Sequence, residues 1–432
     1  MRIFAFTGLR YATPAGDPGP LAALPYDQIN PTLRDDYHAR SPFQFVHLTC
    51  PVAPAGATEN AYTHAAKLHA QWLAQGDVVR DAKPAIYPYV IELAEGGRRY
   101  GIATVVEIAD AQTIRPHEQT LEKAIADRTA LLEATRVDLE PALILSDDQG
   151  KLDALVAADI AGKSPLVDHL DPDGHHHLLF RVDDPERIRL YQEATAGPAA
   201  IADGHHRYKV AGHFAKAHDV AAGSAAAAKL TIVTSLASPA LTIDPIHRAL
   251  TPKIDTAAIA AAAGATRRTI DVANGREFAA EVARAGATAI GVKVTGEPAE
   301  IWMLDSERAP ETLAPGAREI AVVLLHTTVY PALGLEPAAA VDGTTTYRAD
   351  PEVLFNQVEK GELGTGIWLP PMSPASFAAA ISAAYPQTVH SSRLSIRRYV
   401  GTTRACKLYD FEAGTWLPYS AATAAAAPAA AG

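Results

Sequence analysis

Ala202-Asp203-Gly204-His205-His206-Arg207-Tyr208 follows the apolar run Pro198-Ala199-Ala200-Ile201 and opens an alanine-rich helical pattern. That order predicts a strand, a tight turn and a helix. At such a junction the backbone N–H groups of the first helical turn lack intrahelical acceptors, and the helix dipole favours an anion in front of them. Gly204 permits a close or left-handed turn, and Arg207 can fork onto phosphate oxygens. Asp203 brings a carboxylate to the same place, where it can hold a metal, orient a histidine or take a proton. The stretch reads as a phosphate-handling turn. The plainer alternative is an aspartate cap beside solvated first-turn side chains.

Outward from this turn, 432 residues are enough for a substantial core and two domains, or one large domain with a companion lobe. With 48% hydrophobic and 20% charged residues the composition is globular. Cys50 and Cys406 cannot build a disulfide framework and neither sits in a CxxC, which suits a reducing cytosol. Met1-Arg2-Ile3-Phe4-Ala5-Phe6 carries no secretory signature, and the most apolar window, near Ala225 to Ile243, contains Lys229 and several hydroxyls. The reading is a soluble, cytoplasmic protein. A net charge of −11 repels nucleic acid, and the late cluster Arg393, Arg397, Arg398 and Arg404 reads as an exposed strand pair.

Glycine, proline and turn pairs up to about Pro51 predict short strands and loops, with Phe43 to Leu48 as a strand entering the core. Helices are expected at Glu59 to Gln75, Glu118 to Thr135, Pro185 to Ala194, Thr256 to Ala263, Glu277 to Ala285, Arg318 to Ala332, Pro351 to Lys360 and Pro374 to Ala383. Ala85 to Leu93, a Glu95-Gly96-Gly97 turn and Arg99 to Ile108 read as a hairpin. Further strands are expected at Pro141 to Leu145, His177 to Val182, Ala199 to Ala202, Leu230 to Leu236, Ala289 to Val294, Gly366 to Leu369 and Leu394 to Tyr399.

A second chemical cluster stands at Arg115-Pro116-His117-Glu118-Gln119-Thr120, ahead of the helix carrying Lys123, Asp127 and Arg128. Helical spacing puts those three on one flank while Leu121, Ile125 and Leu132 face the core. His117 and Glu118 at the helix entrance suit proton acceptance and metal holding. Pro25-Tyr26-Asp27 and Asn30-Pro31 are turn signatures. His175-His176-His177 is read as a surface strand edge, because adjacent strand residues face opposite sides and no cysteine lies at zinc spacing. No GxxxxGK[ST], strand-linked GxGxxG or GxSxG occurs.

Taken with Gly8-Leu9-Arg10-Tyr11, Ser41-Pro42 through His47-Leu48, Asp127-Arg128, Leu131-Leu132 and Pro245-Ile246-His247-Arg248, these blocks resemble the bacterial and archaeal family known as domain of unknown function 1015. The Asp-Gly-His-His-Arg block is also similar to the phosphate-binding turn of the ParB/sulfiredoxin-like superfamily, which includes free serine kinases and CTP-binding partition proteins. Sulfiredoxins place their nucleophilic cysteine where His205 stands here, which excludes thiol chemistry. Neither the helix-turn-helix of the partition proteins nor its positive charge is present.

The resemblance implies a mixed α/β (α+β) fold: a ParB/sulfiredoxin-like nucleotide-binding core over residues 1–250, a second α/β lobe over 251–418 and a disordered alanine-rich tail over 419–432. It implies a kinase moving a phosphoryl group from ATP, or another nucleotide or pyrophosphate donor, with Mg²⁺, to a small hydroxylated metabolite, free serine being the first to try. Applied to these residues, Gly204, His205, His206, Arg207, Lys123 and Arg128 would hold phosphate, and Asp27 and His117 would touch substrate. Glu118 would take the hydroxyl proton, with Asp203 as the alternative base and metal ligand, completing a catalytic set of Glu118, Asp203, His205 and His206. The expected partners are that metabolite and a nucleotide, with no nucleic acid and no membrane; a homo-oligomer stays open. Two alternatives remain: a metal-dependent phosphate-ester hydrolase and a non-catalytic nucleotide-binding switch or scaffold.

Overall fold

The computed structural model describes residues 1–12, 21–109, 111, 113–116, 120, 122–171, 174–313, 315–335 and 345–377, and the strand residues 406–407, 409–410 and 415–416. His117, Glu118, Leu121, the expected strand at Leu394 to Tyr399 and the 419–432 tail lie outside the described residues. Met1–Arg115 with Thr120–Leu241 form one compact unit, and the described part of Thr242–Ile396 forms another. The chain is a mixed α/β protein; its described residues form a large mixed sheet, a six-stranded antiparallel sheet and three two-stranded ribbons.

In the first unit the chain runs through β1 (Ile3–Phe4), β2 (Leu9–Tyr11), α1 (Pro31–Arg40), α2 (Val46–Thr49), α3 (Ala61–Gln75) and β3 (Val78–Arg80). It continues through β4 (Tyr87–Glu92), β5 (Arg98–Glu107), β6 (Ile114–Arg115), α4 (Glu122–Thr135), β7 (Val137–Asp138), β8 (Ala142–Ser146), α5 (Lys151–Ile160), β9 (Val167–Leu170) and β10 (His176–Leu179). It ends with α6 (Pro185–Ala194), β11 (Ala199–Asp203), α7 (His205–Ala217) and β12 (Ala228–Ser235). The sheet order is β6-β11-β8-β12-β5-β4-β10-β9, with β1 on the far half of β5. The β8–β12 and β6–β11 pairs are parallel and the rest antiparallel. Gly96 and Gly97, both at positive φ, close the β4–β5 hairpin. Ile86, Val90, Ile102, Ile144 and Val233 pack with Leu152, Val156 and Tyr191 of the helices. Leu9, Trp72, Leu131 and Leu139 anchor a second core under α3 and α4.

The second unit has β13 (His247–Leu250), α8 (Thr256–Ala263), β14 (Thr266–Ile270), α9 (Gly275–Ala285), β15 (Ala289–Val294), β16 (Ala299–Met303), α10 (Pro315–Arg318), α11 (Ala321–Leu324), α12 (Tyr330–Ala332), β17 (Thr345–Arg348), α13 (Pro351–Glu359) and β18 (Thr365–Trp368). Its antiparallel sheet is ordered β14-β16-β15-β18-β13-β17. Alternation along the strands sorts side chains to two cores: Ile290, Trp302 and Ile367 meet α8 and α11, whereas Ile301 and Trp368 meet Phe278 and Leu354.

Four expectations are corrected. Phe43 to Leu48 is no strand: Val46–Thr49 is helical, and Asn30-Pro31 starts α1, with the Asn30 side chain accepting from Leu33 N–H and proline at the first turn. The expected helix at Arg318 to Ala332 is broken, with a π-helical turn at Leu325–Val329. Thr327 and Thr328 hydroxyls bond back to the carbonyls of Val323 and Leu324, and Pro331 has no N–H to donate. His175 to His177 is no surface edge, since β10 pairs on both sides and His177 is buried against Tyr89 and Asp171. Arg128 lies not on a polar flank of α4 but on its buried face. Strands β13, β14, β16 and β17 were not anticipated. No helix among the described residues is long and apolar enough to cross a membrane.

Candidate functional site

The opening stretch folds as its order demands. β11 ends at Asp203 after an irregular register against β8, Gly204 turns at φ 85°, and α7 starts at His205. Two constraints demand glycine there: the left-handed backbone, and a Cβ that would lie 3.1 Å from Ala142 Cα and from the Arg207 guanidinium. Arg207 reaches back along the first turn, donating to the Asp203 carboxylate and, at 2.5 Å, to the Pro141 carbonyl. Its side chain is 10% exposed and that of Asp203 33%. His205 is buried and His206 half-buried.

Arg128 approaches from α4. Its Nη1 donates to the Thr49 carbonyl at 2.7 Å, its Nε donates to Asp127 at 2.7 Å, and its guanidinium lies 4.2 Å over the Tyr26 ring. Tyr62 donates to Asp127 from α3 at 2.7 Å. The turn Tyr26–Gln28 presents exposed Asp27 and is held by Tyr26 N–H donating to Glu140 Oε1 at 3.1 Å.

Sequence reasoning missed the hub. Glu140 lies 3.8 Å from Arg128 through its other oxygen, and its carbonyl accepts from Lys229 Nζ at 2.7 Å. Lys229 also donates to the Asp138 carboxylate, which accepts from Leu230 N–H at 2.8 Å. Asp138, Glu140, Arg128, Arg207 and Lys229 border a cavity of about 40 Å³, room for a water or two. One signal was available: Lys229 interrupts the apolar run Ala228 to Val233, and a lysine in a buried strand needs an acid nearby.

The ionisation of these groups is coupled. Burial raises the Glu140 pKa against the pull of Arg207 and Arg128. Burial also raises Tyr26, with Asp27 adding to the effect and Arg128 and Arg207 opposing it. Burial lowers Lys229 while Asp138 opposes it. The Arg207 guanidinium, despite burial, is held charged by Asp203, Glu140 and Asp27. Cys50, half-buried beside Glu140, is pushed up to about 11 by desolvation and is not a thiolate nucleophile.

The structure thus gathers Asp27, Arg128, Asp203, Gly204 and Arg207 around Glu140. Lys123 is exposed on α4, and His117 and Glu118 lie outside the described residues. No trio of His, Cys, Asp or Glu at metal-ligand spacing occurs among the described residues. Mg²⁺ in phosphate sites commonly takes one or two carboxylates and fills its remaining positions with phosphate and water, a donor set that Asp203 suits.

The profile of the DUF1015 family, described as protein of unknown function, matches residues 3–326. The chain belongs to that family. No curated protein matches it. Among solved structures, this DUF1015 chain is similar to a conserved hypothetical protein from Pyrococcus furiosus at 13% identity, covering 66% of this chain and 86% of that one with a TM-score of 0.33. It is also similar to a free serine kinase in complex with AMP (13%, 66% and 83%, TM-score 0.34) and to SbnI with a C-terminal truncation from Staphylococcus aureus (12%, 66% and 79%, TM-score 0.33).

Proposed function

We propose that this DUF1015 protein is a nucleotide-dependent phosphotransferase acting on a small hydroxylated metabolite, with ATP as the first donor and free serine the first acceptor to test. In this reading residues 1–250 carry a ParB/sulfiredoxin-like nucleotide-binding core, and 251–418 a second lobe. The observation that carries the reading is the convergence of the Tyr26–Gln28 turn, Arg128 and the N-terminal turn of α7 on one buried carboxylate, Glu140. Phosphoryl transfer asks a protein mainly for in-line positioning and charge neutralisation.

Gly204 lets the chain approach the phosphates closely, and His205, His206 and the α7 N-terminus hold their oxygens. Arg207 and Arg128 supply positive potential from behind while fixing Asp203 and the Tyr26 ring. Lys123 closes on the donor from solvent. Asp27 and His117 orient the acceptor, and Glu118, or else Asp203, takes its hydroxyl proton. Five carboxylates (Asp27, Asp127, Asp138, Glu140, Asp203) stand with three cations (Arg128, Arg207, Lys229) in this cluster, so a polyphosphate needs an accompanying cation. Mg²⁺, held by Asp203 and the phosphates, would neutralise that charge.

Calorimetric titration with ATP, ADP, CTP and pyrophosphate, with and without Mg²⁺, is expected to give saturable binding that needs the metal. Incubation with a metabolite mixture and mass spectrometry should then show one hydroxylated compound gaining a phosphoryl mass. Binding without any turnover in phosphorus NMR would make the protein a nucleotide switch, and no binding of any of the four would remove the proposal.

A further inference from the structure

Two cavities outside this site differ in how their charges are spent. In the first unit, a cavity of about 450 Å³ is bordered by Glu92, Arg98, Asp168 and His176. There Arg98 pairs with Glu92 at 2.6 Å, His176 meets Asp168 at 3.1 Å and exposed Lys163 stands on the same lining, so acids and bases are mixed. The second unit holds a cleft of about 200 Å³ with a different balance. Its floor is apolar and buried: Ile243, Ile246, Ile320, Val322 and Leu369. Asp244 and Glu319 also line it, half-buried and exposed respectively, and neither has a cationic partner among the described residues.

The cleft is preformed. Met372 N–H donates to the Ile243 carbonyl and Ala321 N–H to the Ala287 carbonyl, both across its walls. Pro245, Pro370 and Pro371 stiffen the same walls by fixing φ. Small residues keep it open: Ala283, Gly286 and Ala287 line one side, and a Cβ at Gly286 would meet nothing within 4 Å. An apolar floor with a few polar groups is the usual make-up of a small-molecule site, and a volume of about 200 Å³, under the usual range, restricts the occupant to a few heavy atoms. Both charged groups are acids, and the chain's charge of −11 adds to their attraction for cations.

We propose that this cleft binds a small organic cation, a primary amine or guanidine on a short apolar body, with the carbon chain on the Ile243, Ile246 and Leu369 floor and the cationic head between Asp244 and Glu319. The site is independent of the phosphotransfer reading. The test uses the full chain with n-butylamine and n-butylguanidine as probes and 1-butanol as the neutral match, read by saturation-transfer NMR and calorimetry. Both cations are expected to bind saturably in the millimolar range or tighter, at least about tenfold better than the alcohol, and more weakly as salt is added. The double variant D244N/E319Q should lose about tenfold in affinity for the cations while keeping the wild-type thermal midpoint. The proposal is overturned if neither cation binds, if alcohol and amine bind alike, or if the double variant binds the cations as wild type does.

Discussion

Lys229 and Asp138 form an ion pair with both side chains almost fully buried, and such a pair is fragile to losing one partner. Truncating Lys229 to alanine strands the Asp138 carboxylate on a single backbone N–H, so urea unfolding should register a loss of about 3–5 kcal/mol. Glu140 behaves in the opposite sense. Its pKa is raised by burial, so the folded chain binds this proton more tightly than the unfolded chain. The stability it contributes is complete below the ordinary carboxylate range and is lost as pH rises through the folded value. Glu140→Gln, an uncharged mimic that keeps an acceptor for Tyr26 N–H, should match wild type near about pH 4 and exceed it near about pH 7 in the same assay. A less stable variant at the higher pH would mean that Arg128 and Arg207 outweigh burial. Neither residue was singled out from sequence for a site role. Asp27, Arg128, Asp203 and Arg207 were, because they sit in dense polar blocks, whereas Lys229 is a lone charge among apolar neighbours and the meaning of Glu140 depends on its contact with Lys229, 89 residues away.

At the scale of elements, Gly204 separates two effects that a glycine can supply. Gly204 and Gly150 both stand in left-handed backbone immediately before a helix, at φ 85° and 80°, but only at Gly204 would a Cβ meet the Arg207 guanidinium. Gly150→Ala carries the conformational strain alone, about 1–2 kcal/mol. Gly204→Ala is expected to cost more in thermal unfolding and, by pushing Arg207 off Asp203, to weaken nucleotide binding that Gly150→Ala leaves intact. Equal effects from both substitutions would place Arg207 outside the site's function. Elements with caps and clear periodicity were legible: α3 runs from its Asn60 cap to Gly76, and α6 and α8 fall where expected. The N-terminal region was misread because Asn30-Pro31 suits a turn and a helix start equally well. The π turn was invisible because periodicity reports an apolar face and not which backbone acceptors threonine hydroxyls take. Strand β14, Thr-Arg-Arg-Thr-Ile, lacks apolar alternation and is an edge strand made by its pairing with β16.

For the molecule as a whole, the second unit carries an acid sensitivity that can be followed on its own. His247 and His326, both in the second unit, are almost fully buried, and burial with the Arg248 charge lowers each from 6.5 to about 3. His247 Nδ1 accepts from Leu369 N–H at 3.2 Å, which fixes it as a neutral ring. Both ring nitrogens of His326, on the π turn, have no hydrogen-bond partner among the described residues. A base whose pKa is depressed by folding contributes stability that is complete above its ordinary value and is lost as pH falls towards the folded one, because the unfolded chain takes up the proton first. The second unit should therefore weaken between about pH 6.5 and about pH 3 through these two residues, a loss that acts in addition to carboxylate protonation. His326→Phe removes one of the two titrations together with both unpartnered nitrogens and roughly preserves volume. At neutral pH it should be as stable as wild type or more so, and its stability should fall less steeply with acid when resonances of the second unit are followed by NMR through urea unfolding. Parallel curves for the two proteins across that window would show that the folded His326 ring takes up its proton as readily as the unfolded one, and burial would then have to be relieved by water reaching the π turn.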